Sequence, residues 1–285
     1  MERGHYEYLH HPDPSFPIIF HHDIFTLANG GFLPHWHEEM ELLYFTRGSG
    51  TVFIDGTSFR AKAGDLVVSG FGCMHSMQEA EADTQYDCLI LSPVLCALAG
   101  FQPEQLQLSP HIHDAEIAVK MAYITREFQN RQPYYKNAVK AEIAALLIHL
   151  MRHYVSGGRT GPKVPDSKTG LVKQVIEYLQ KEYRQPVSLP LLAAKTGFSH
   201  YYLCHVFREI TGYSIFQYMN LLRCTNAQKL LLSGSTVSEA ALSCGFEDLS
   251  YFTRVYKRCM GHTPSQDKHA PTETPPVAGK MIHYM

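Results

Sequence analysis

The sequence predicts an α+β protein, with an antiparallel β-barrel and its helices in the first half and an all-helical domain in the second. Three observations predict this class. Short β-branched and aromatic runs give way to helical periodicity near residue 115, a Gly- and Pro-rich segment follows, and a helical motif then occurs twice. A length of 285 residues also favours two domains.

Strand signals fill the region from about residue 16 to residue 110, where we expect the barrel. Asp55-Gly56 is a residue pair that a type I′ hairpin turn favours, so two antiparallel strands should meet there. The apolar runs that we assign to strands cover residues 41–45, 51–55, 66–69 and 88–91.

Two amphipathic helices should follow at about residues 115–155. Such helices pack on the core of their own domain or form a dimer seam, and the spacing is compatible with both. We assign residues 1–155 to the first domain. One apolar stripe contains Ile117, Met121, Ile124 and Phe128, and the other contains Val139, Ile143, Leu146, Leu150 and Tyr154.

The segment 156–168 should be a linker, because its Gly and Pro residues disfavour both helix and strand. The second domain, residues 169–270, shows only helical patterns. Residues 271–285 contain three Pro, and we expect them to form a flexible tail.

Charge is distributed unevenly between the two halves. Residues 1–167 carry 12 Lys and Arg against 19 Asp and Glu, a net charge of −7, whereas residues 168–285 carry a net +5. A basic helical domain is typical of a polyanion-binding module, because phosphate neutralisation supplies most non-specific affinity for nucleic acid. The Cys residues form no Cys-x-x-Cys pair and no apolar run could span a membrane, so we expect a cytoplasmic protein without disulfides or membrane contact.

The repeated motif consists of a short helix, a Gly-Phe turn and a second helix that ends in Gly. Its two copies cover residues 188–212 and 236–261. Gly permits the left-handed backbone of the turn, and the following Phe should fill the corner between the helices. The pattern predicts two helix-turn-helix units, whose second helices enter the DNA major groove. The turns are Gly197-Phe198 and Gly245-Phe246.

The second helix of each unit pairs an apolar face with a polar face that we expect to meet DNA. Arg254 is suited to bidentate reading of guanine, and Arg208 and Lys257 are suited to phosphate contacts. The predicted DNA-binding residues are Ser199, His200, Tyr201, Cys204, His205 and Arg208 in the first unit and Leu249, Ser250, Thr253, Arg254 and Lys257 in the second.

These residues resemble the AraC family of bacterial transcription regulators. The resemblance covers residues 187–264 and rests on Gly-Phe-Ser-x-x-Tyr-Leu-x-x-x-Phe-Arg, on Gly-Phe-x-Asp-x-Ser-Tyr-Phe-x-Arg-x-Tyr-Lys, and on the later Gly-His-Thr-Pro. His205 departs from it, because the family usually has Arg there. The resemblance implies binding to double-stranded promoter or operator DNA, contact with RNA polymerase, a homodimer, and control by a small-molecule effector, with a carbohydrate as the first expectation.

A cluster of candidate ligands lies in the first domain. Alternate residues of a strand share a face, so His35 and His37 point the same way, as does Glu41 if the strand continues. His75 on a neighbouring strand completes a set of three His and one carboxylate, which suits a divalent transition metal. The spacing resembles both cupin motifs and implies a small barrel open at one end.

Two uses of these four residues stay open. The resemblance implies that sensor domains of AraC-type regulators commonly keep the His-x-His-x-x-x-Glu motif while they bind a sugar or another small molecule. The same side chains are therefore candidate effector contacts. Trp36 joins them as a ring that stacks on a sugar or closes the barrel. We expect a ligand-responsive regulator, not an enzyme, with no required cofactor and with residues 1–155 sensing the ligand and dimerising. The alternative is a metal-dependent cupin enzyme with a helical appendage.

Overall fold

The structure is a computed structural model, and it describes residue 13 and residues 15–25, 31–101, 107–155 and 167–268. Most of the predicted linker, residues 156–166, and the predicted tail lie outside the described residues. Helix begins at Ser167, so the last two residues of the predicted linker are helical instead.

The described part of the first domain contains nine strands in two antiparallel sheets. The five-stranded sheet has the order β1-β8-β3-β6-β9, and the four-stranded sheet has the order β2-β7-β4-β5. The strands are β1 (Ile18–Phe25), β2 (Phe32–His35), β3 (Met40–Arg47), β4 (Ser49–Ile54), β5 (Thr57–Lys62), β6 (Asp65–Ser69), β7 (His75–Gln78), β8 (Gln85–Leu91) and β9 (His111–His113).

The two sheets face each other across an apolar core. Phe45 of β3 packs in one buried cluster with Val52 of β4 and Met77 of β7. The predicted barrel therefore takes the form of two facing sheets with a filled interior. The predicted hairpin turn is confirmed, since Asp55 and Gly56 both have positive φ, 45° and 86°, and join β4 to β5.

Three helices cover the outer face of the five-stranded sheet: α1 (Pro93–Leu98), α2 (Ala115–Asn130) and α3 (Tyr135–His153). Asp114 caps α2 by accepting a hydrogen bond from the backbone N–H of Glu116 at 2.7 Å. The predicted apolar stripes of α2 and α3 are buried against this sheet, in one cluster with Leu42, Leu66 and Leu89. Of the two alternatives for these stripes, packing within their own domain is the one observed.

The second domain is entirely helical in its described part. Hydroxyl or carboxylate side chains cap four of its helices and fix where those helices begin. The helices are α4 (Ser167–Glu182), α5 (Leu189–Thr196), α6 (His200–Thr211), α7 (Ile215–Leu232), α8 (Val237–Ser243), α9 (Leu249–Met260) and α10 (Pro264–Lys268).

Each helix-turn-helix unit has its own apolar core. Helices α4 to α7 enclose the first core, and α7 to α9 enclose the second. Leu33, Trp36 and Met74 of the first domain also pack in the core of the first helix-turn-helix unit, so that unit is docked on the first domain. In the described part of the chain, no helix is both long and apolar enough to cross a membrane.

Candidate DNA interface and effector site

The predicted DNA-binding residues lie on the outer faces of α6 and α9 or at their N-termini. All are exposed except Cys204, which is half-buried. The opposite faces are fully buried, with Leu203, Phe207 and Ile210 in α6 and Phe252 and Tyr256 in α9. Helices α6 and α9 are therefore equivalent, because each buries an apolar face and exposes the face that carries the predicted DNA-binding residues.

Some of these side chains already have partners within their own helix. The Ser199 hydroxyl caps α6 by accepting from the backbone N–H of Tyr202 at 3.3 Å. The Thr253 hydroxyl donates to the carbonyl of Leu249 at 2.9 Å, which leaves it acceptor capacity for DNA. The Ser199 hydroxyl is therefore already used in capping α6, whereas the Thr253 hydroxyl can still accept a hydrogen bond from DNA.

The two turns differ in a way that the repeat does not predict. Phe246 is 2% exposed and fills the corner of the second unit as expected. Phe198 is 46% exposed and stacks on Tyr202, with ring centroids 5.2 Å apart, so the prediction that it fills the corner of the first unit is wrong. In the first unit, helix α4 and residues of the first domain cover the core instead.

The four candidate ligands of the first domain are brought together. One ligand atom from each of His35, His37, Glu41 and His75 lies within 4.8 Å of those of the other three. The Glu41 carboxylate is at the centre, with its Oε2 atom 2.9 Å from His37 Nε2 and 3.2 Å from His75 Nε2. His37, Glu41 and His75 are buried, and His35 is half-buried.

Two imidazoles of the cluster have an Nδ1 atom at hydrogen-bond distance from an acceptor outside the cluster. His35 Nδ1 lies 2.9 Å from the carbonyl oxygen of Leu33, whereas His37 Nδ1 lies 3.4 Å from a Glu39 carboxylate oxygen, which is an ion-pair distance. His75 Nδ1 lies 2.9 Å from the Ser69 hydroxyl and 3.1 Å from a backbone carbonyl. Metal-binding histidines are held in this way, because the outer acceptor fixes the tautomer and leaves the other ring nitrogen for the ion.

Burial and mutual charge set the protonation of the cluster. Burial, aided by His75, holds the pKa of His35 well below its ordinary value. Burial alone would lower the pKa of His37, but hydrogen bonds to Glu39 and Glu41 raise it to about 10. Burial would raise the pKa of Glu41, yet the charge of His75 and the hydrogen bond from His37 hold it well below its usual range. Glu41 is therefore an anionic carboxylate in a buried site.

The donor set and its surroundings fit a divalent transition metal better than they fit a carbohydrate. Three imidazoles and one carboxylate match the ligands that Zn²⁺ and related ions take. The space between the sheets behind them is filled by apolar side chains such as Phe45, Val52 and Met77. The site is thus small, has one anionic carboxylate at its centre and is backed by hydrocarbon.

Trp36 does not lie in the cluster as a stacking platform. Its side chain is 5% exposed and packs among helices of the first helix-turn-helix unit, with Lys173 Nζ of α4 5.1 Å from the ring centroid. The sequence also gave no signal for Lys173, Ser76 or Gln78, all of which make contacts between the domains, because their partners are 101 to 135 residues away along the chain.

Two family models match the chain. The AraC-like ligand binding domain matches residues 22–118, and a helix-turn-helix domain matches residues 192–269. The HTH-type transcriptional activator RhaR of Salmonella schwarzengrund is 29% identical over 252 residues, which cover 84% of this chain and 87% of that protein. RhaR of Salmonella typhi shows the same identity and coverage.

Two solved structures were also matched. ToxT from Vibrio cholerae, with an unsaturated fatty acid bound, has a TM-score of 0.45 at 12% identity and covers 90% of this chain and 96% of its own. A probable AraC family regulator from Rhodopseudomonas palustris is 35% identical, with a TM-score of 0.33, over 35% of this chain and 94% of its own. The curated relatives are transcriptional activators, which gives the alternative of a cupin enzyme no support. With a ligand-binding domain and a helix-turn-helix domain both matched in this order, the chain belongs to the AraC family of DNA-binding transcription regulators.

Proposed function

We propose that this regulator reads a specific duplex through the exposed faces of α6 and α9. The observation that carries the proposal is the pair of equivalent helices, each capped at its start, buried on one face and polar on the other. Helix α7 between them has 18 residues and a length of about 27 Å, which suits two helices entering successive major grooves. Arg254 supports base reading, and Arg208 and Lys257 support phosphate contacts.

Selection from a random duplex pool by the full-length chain tests this proposal. We expect one recurrent sequence, bound about 10³-fold more tightly than random DNA at the same salt concentration. The protected bases should fall in two major-groove segments about one helical turn apart. A pool without an enriched sequence would contradict specific recognition.

We further propose that the effector site is the cluster of His35, His37, Glu41 and His75 and that its occupant is a divalent transition-metal ion. Support comes from the outer acceptors of His35 and His75 and from the anionic Glu41 at the centre. Glu41 would offset part of the positive charge of a bound ion, and the three neutral imidazoles would coordinate it. The family resemblance supports a homodimer and contact with RNA polymerase, and the pattern of Cys residues supports a cytoplasmic location.

Metal binding is tested on full-length protein prepared in the presence of a chelator and then freed of it. Titration with Co²⁺ should produce visible absorption that saturates at one ion per chain. His75→Ala should abolish this absorption, whereas His113→Ala, a matched change at a side chain 67% exposed, should keep it. Absent or equal absorption in wild type and His75→Ala would reject the metal. A response to monosaccharides without metal would instead favour the carbohydrate predicted from the family resemblance.

A further inference from the structure

The two recognition helices, α6 and α9, carry very different charge. Helix α9 has three Lys and Arg residues and no acidic residue, whereas α6 has one cation, Arg208, and one anion, Glu209. Glu209 also accepts a hydrogen bond from Lys168 Nζ at 2.8 Å. Because Lys and Arg supply most of the affinity for phosphates, α9 can hold the DNA backbone more strongly than α6. Base selection by α6 therefore depends more on contacts that carry no charge.

An exposed aromatic ring lies at the start of α6. Tyr201 is the second residue of this helix and is 78% exposed, more than any other large apolar residue in the described part of the second domain. Its ring lies against that of His200, with centroids 4.2 Å apart. The start of a recognition helix is the part that contacts base edges. Tyr201 thus presents an apolar surface at the position where bases are read.

The polar side chains near Tyr201 are poorly suited to reading bases. Residues 200–206, the first two turns of α6, include none of the Arg, Lys, Asn and Gln side chains that bond purines bidentately. The Ser199 hydroxyl is used in capping the helix. Arg208 lies two turns beyond Tyr201, about 10.5 Å along the helix axis. Two imidazoles remain in these turns, and each offers single hydrogen bonds rather than a bidentate pair.

Thymine is the base that an apolar ring suits in the major groove. Its edge there presents a C5-methyl group beside one acceptor, whereas the other bases are distinguished by hydrogen-bonding groups. A ring that covers the methyl group removes two apolar surfaces from water, which is favourable. The same ring over the polar edge of another base would bury nitrogen or oxygen atoms without a hydrogen-bond partner, which is costly.

We propose that Tyr201 selects thymine in the operator by covering its C5-methyl group. The first unit then chooses its bases through apolar contact, while the second uses charge and hydrogen bonds from residues such as Arg254. This inference rests on the DNA recognition proposed above and adds the base that the first unit selects. The exposure of Tyr201, its place at the start of α6 and the low charge of that helix support it together.

Uracil in place of thymine tests this directly, because it removes the methyl group and keeps the base pair and the acceptor. The selected duplex is made with uracil in one of its two protected segments at a time, and fluorescence anisotropy measures binding of the full-length protein. The segment where Arg254→Ala relaxes base preference belongs to α9, and the other belongs to α6. Uracil in the α6 segment should weaken binding about fourfold for each methyl group that the ring covers.

Variants at this exposed position assign the methyl effect to Tyr201. Tyr201→Ala should bind the thymine and uracil duplexes equally, at the wild-type affinity for uracil, whereas Tyr201→Phe should keep the preference for thymine because it keeps the ring. Tyr134→Ala is the matched control, since it removes a ring that is 83% exposed in the first domain, and it should behave as wild type. Tyr201→Ala should leave the salt dependence of binding unchanged, because no charge is lost.

The outcomes separate this inference from the DNA recognition on which it rests. A random pool without an enriched sequence would reject specific recognition itself. An enriched sequence that has no thymine in the α6 segment, or that binds equally well with uracil there, would leave specific recognition standing and overturn the role of Tyr201. A uracil effect that persists in Tyr201→Ala would also overturn it. Equal loss of the thymine preference in Tyr201→Phe and Tyr201→Ala would assign the contact to the hydroxyl and reject apolar reading.

Discussion

Arg223 Nε, in the middle of α7, donates a hydrogen bond to the carbonyl of Tyr183 at 2.6 Å. The same guanidinium donates to the carbonyl of Gln185 at 2.8 Å and lies over the ring of Phe246, 5.7 Å from its centroid. One side chain thus ties the end of α4, in the first unit, to the corner of the second. These contacts make Arg223 a structural link between the two units, and it is not among the predicted DNA-binding residues.

Arg223→Met should lower the free energy of unfolding by about 2 kcal/mol, because two backbone carbonyls lose charged donors. Urea unfolding of the full-length protein measures this loss. Arg258→Met, at an exposed position of α9, should stay within about 0.5 kcal/mol of wild type. Equal losses of unfolding free energy in the two variants would show that Arg223 does not hold the two units together.

Phe246 and Phe198, at the corners of the two units, should contribute different amounts to the free energy of unfolding, because one is buried and the other is exposed. Phe246→Ala should cost about 3 to 5 kcal/mol, since it empties a buried corner of the second core. Phe198→Ala should cost less than about 1 kcal/mol, because that ring is 46% exposed. Thermal or urea unfolding of both variants measures these costs. A large loss of stability in Phe198→Ala would mean that Phe198 fills the corner of the first unit after all.

Arg254→Ala should weaken binding to the selected duplex by about 1 to 3 kcal/mol, with a smaller loss on random DNA, because a base contact is lost only on the specific site. Lys257→Ala should weaken both by similar amounts and reduce the salt dependence of binding. Fluorescence anisotropy with the two duplexes measures each variant. Equal losses for Arg254→Ala on both duplexes would show that it contacts phosphate.

Asp114 should make the stability of the first domain depend on pH. Hydrogen bonds from His149, from Tyr154 and from the backbone of Glu116 lower its pKa from 3.8 to about 2. Since the pKa in the folded protein is the lower one, the stabilisation is complete above about pH 4 and is lost as the pH falls towards about 2.

Asp114→Asn should therefore cost about 1 to 2 kcal/mol near neutral pH and less at about pH 3. Urea unfolding at both pH values measures the difference. Asp83→Asn is the control, because its ion pair with Arg47 is exposed on both sides and contributes less than about 1 kcal/mol. A cost for Asp114→Asn that does not change with pH would assign its effect to helix capping alone.

Local patterns predicted most of the elements correctly because their causes lie within a few residues. Ser199 and Asp248 are residue types that favour the start of a helix, and they cap α6 and α9; the left-handed Asp55-Gly56 turn likewise forms as its residue types favour. The stripes of α2 and α3 could not be assigned from spacing, since a helix buries an apolar face equally well on its own sheet or on a partner.

By itself, the sequence determined the order of sheet and helices, the two helix-turn-helix units and the four residues that form the His and Glu cluster, because each depends on periodicity or on residue type. Only the tertiary structure decided that Leu33 and Cys73, both outside the cluster, supply backbone acceptors for the Nδ1 atoms of His35 and His75. It also decided that Trp36 faces the DNA-binding domain and that Thr211 is held by Ser76 and Gln78. Such contacts join residues more than 100 positions apart, and they arise from how two folded domains meet rather than from any local pattern.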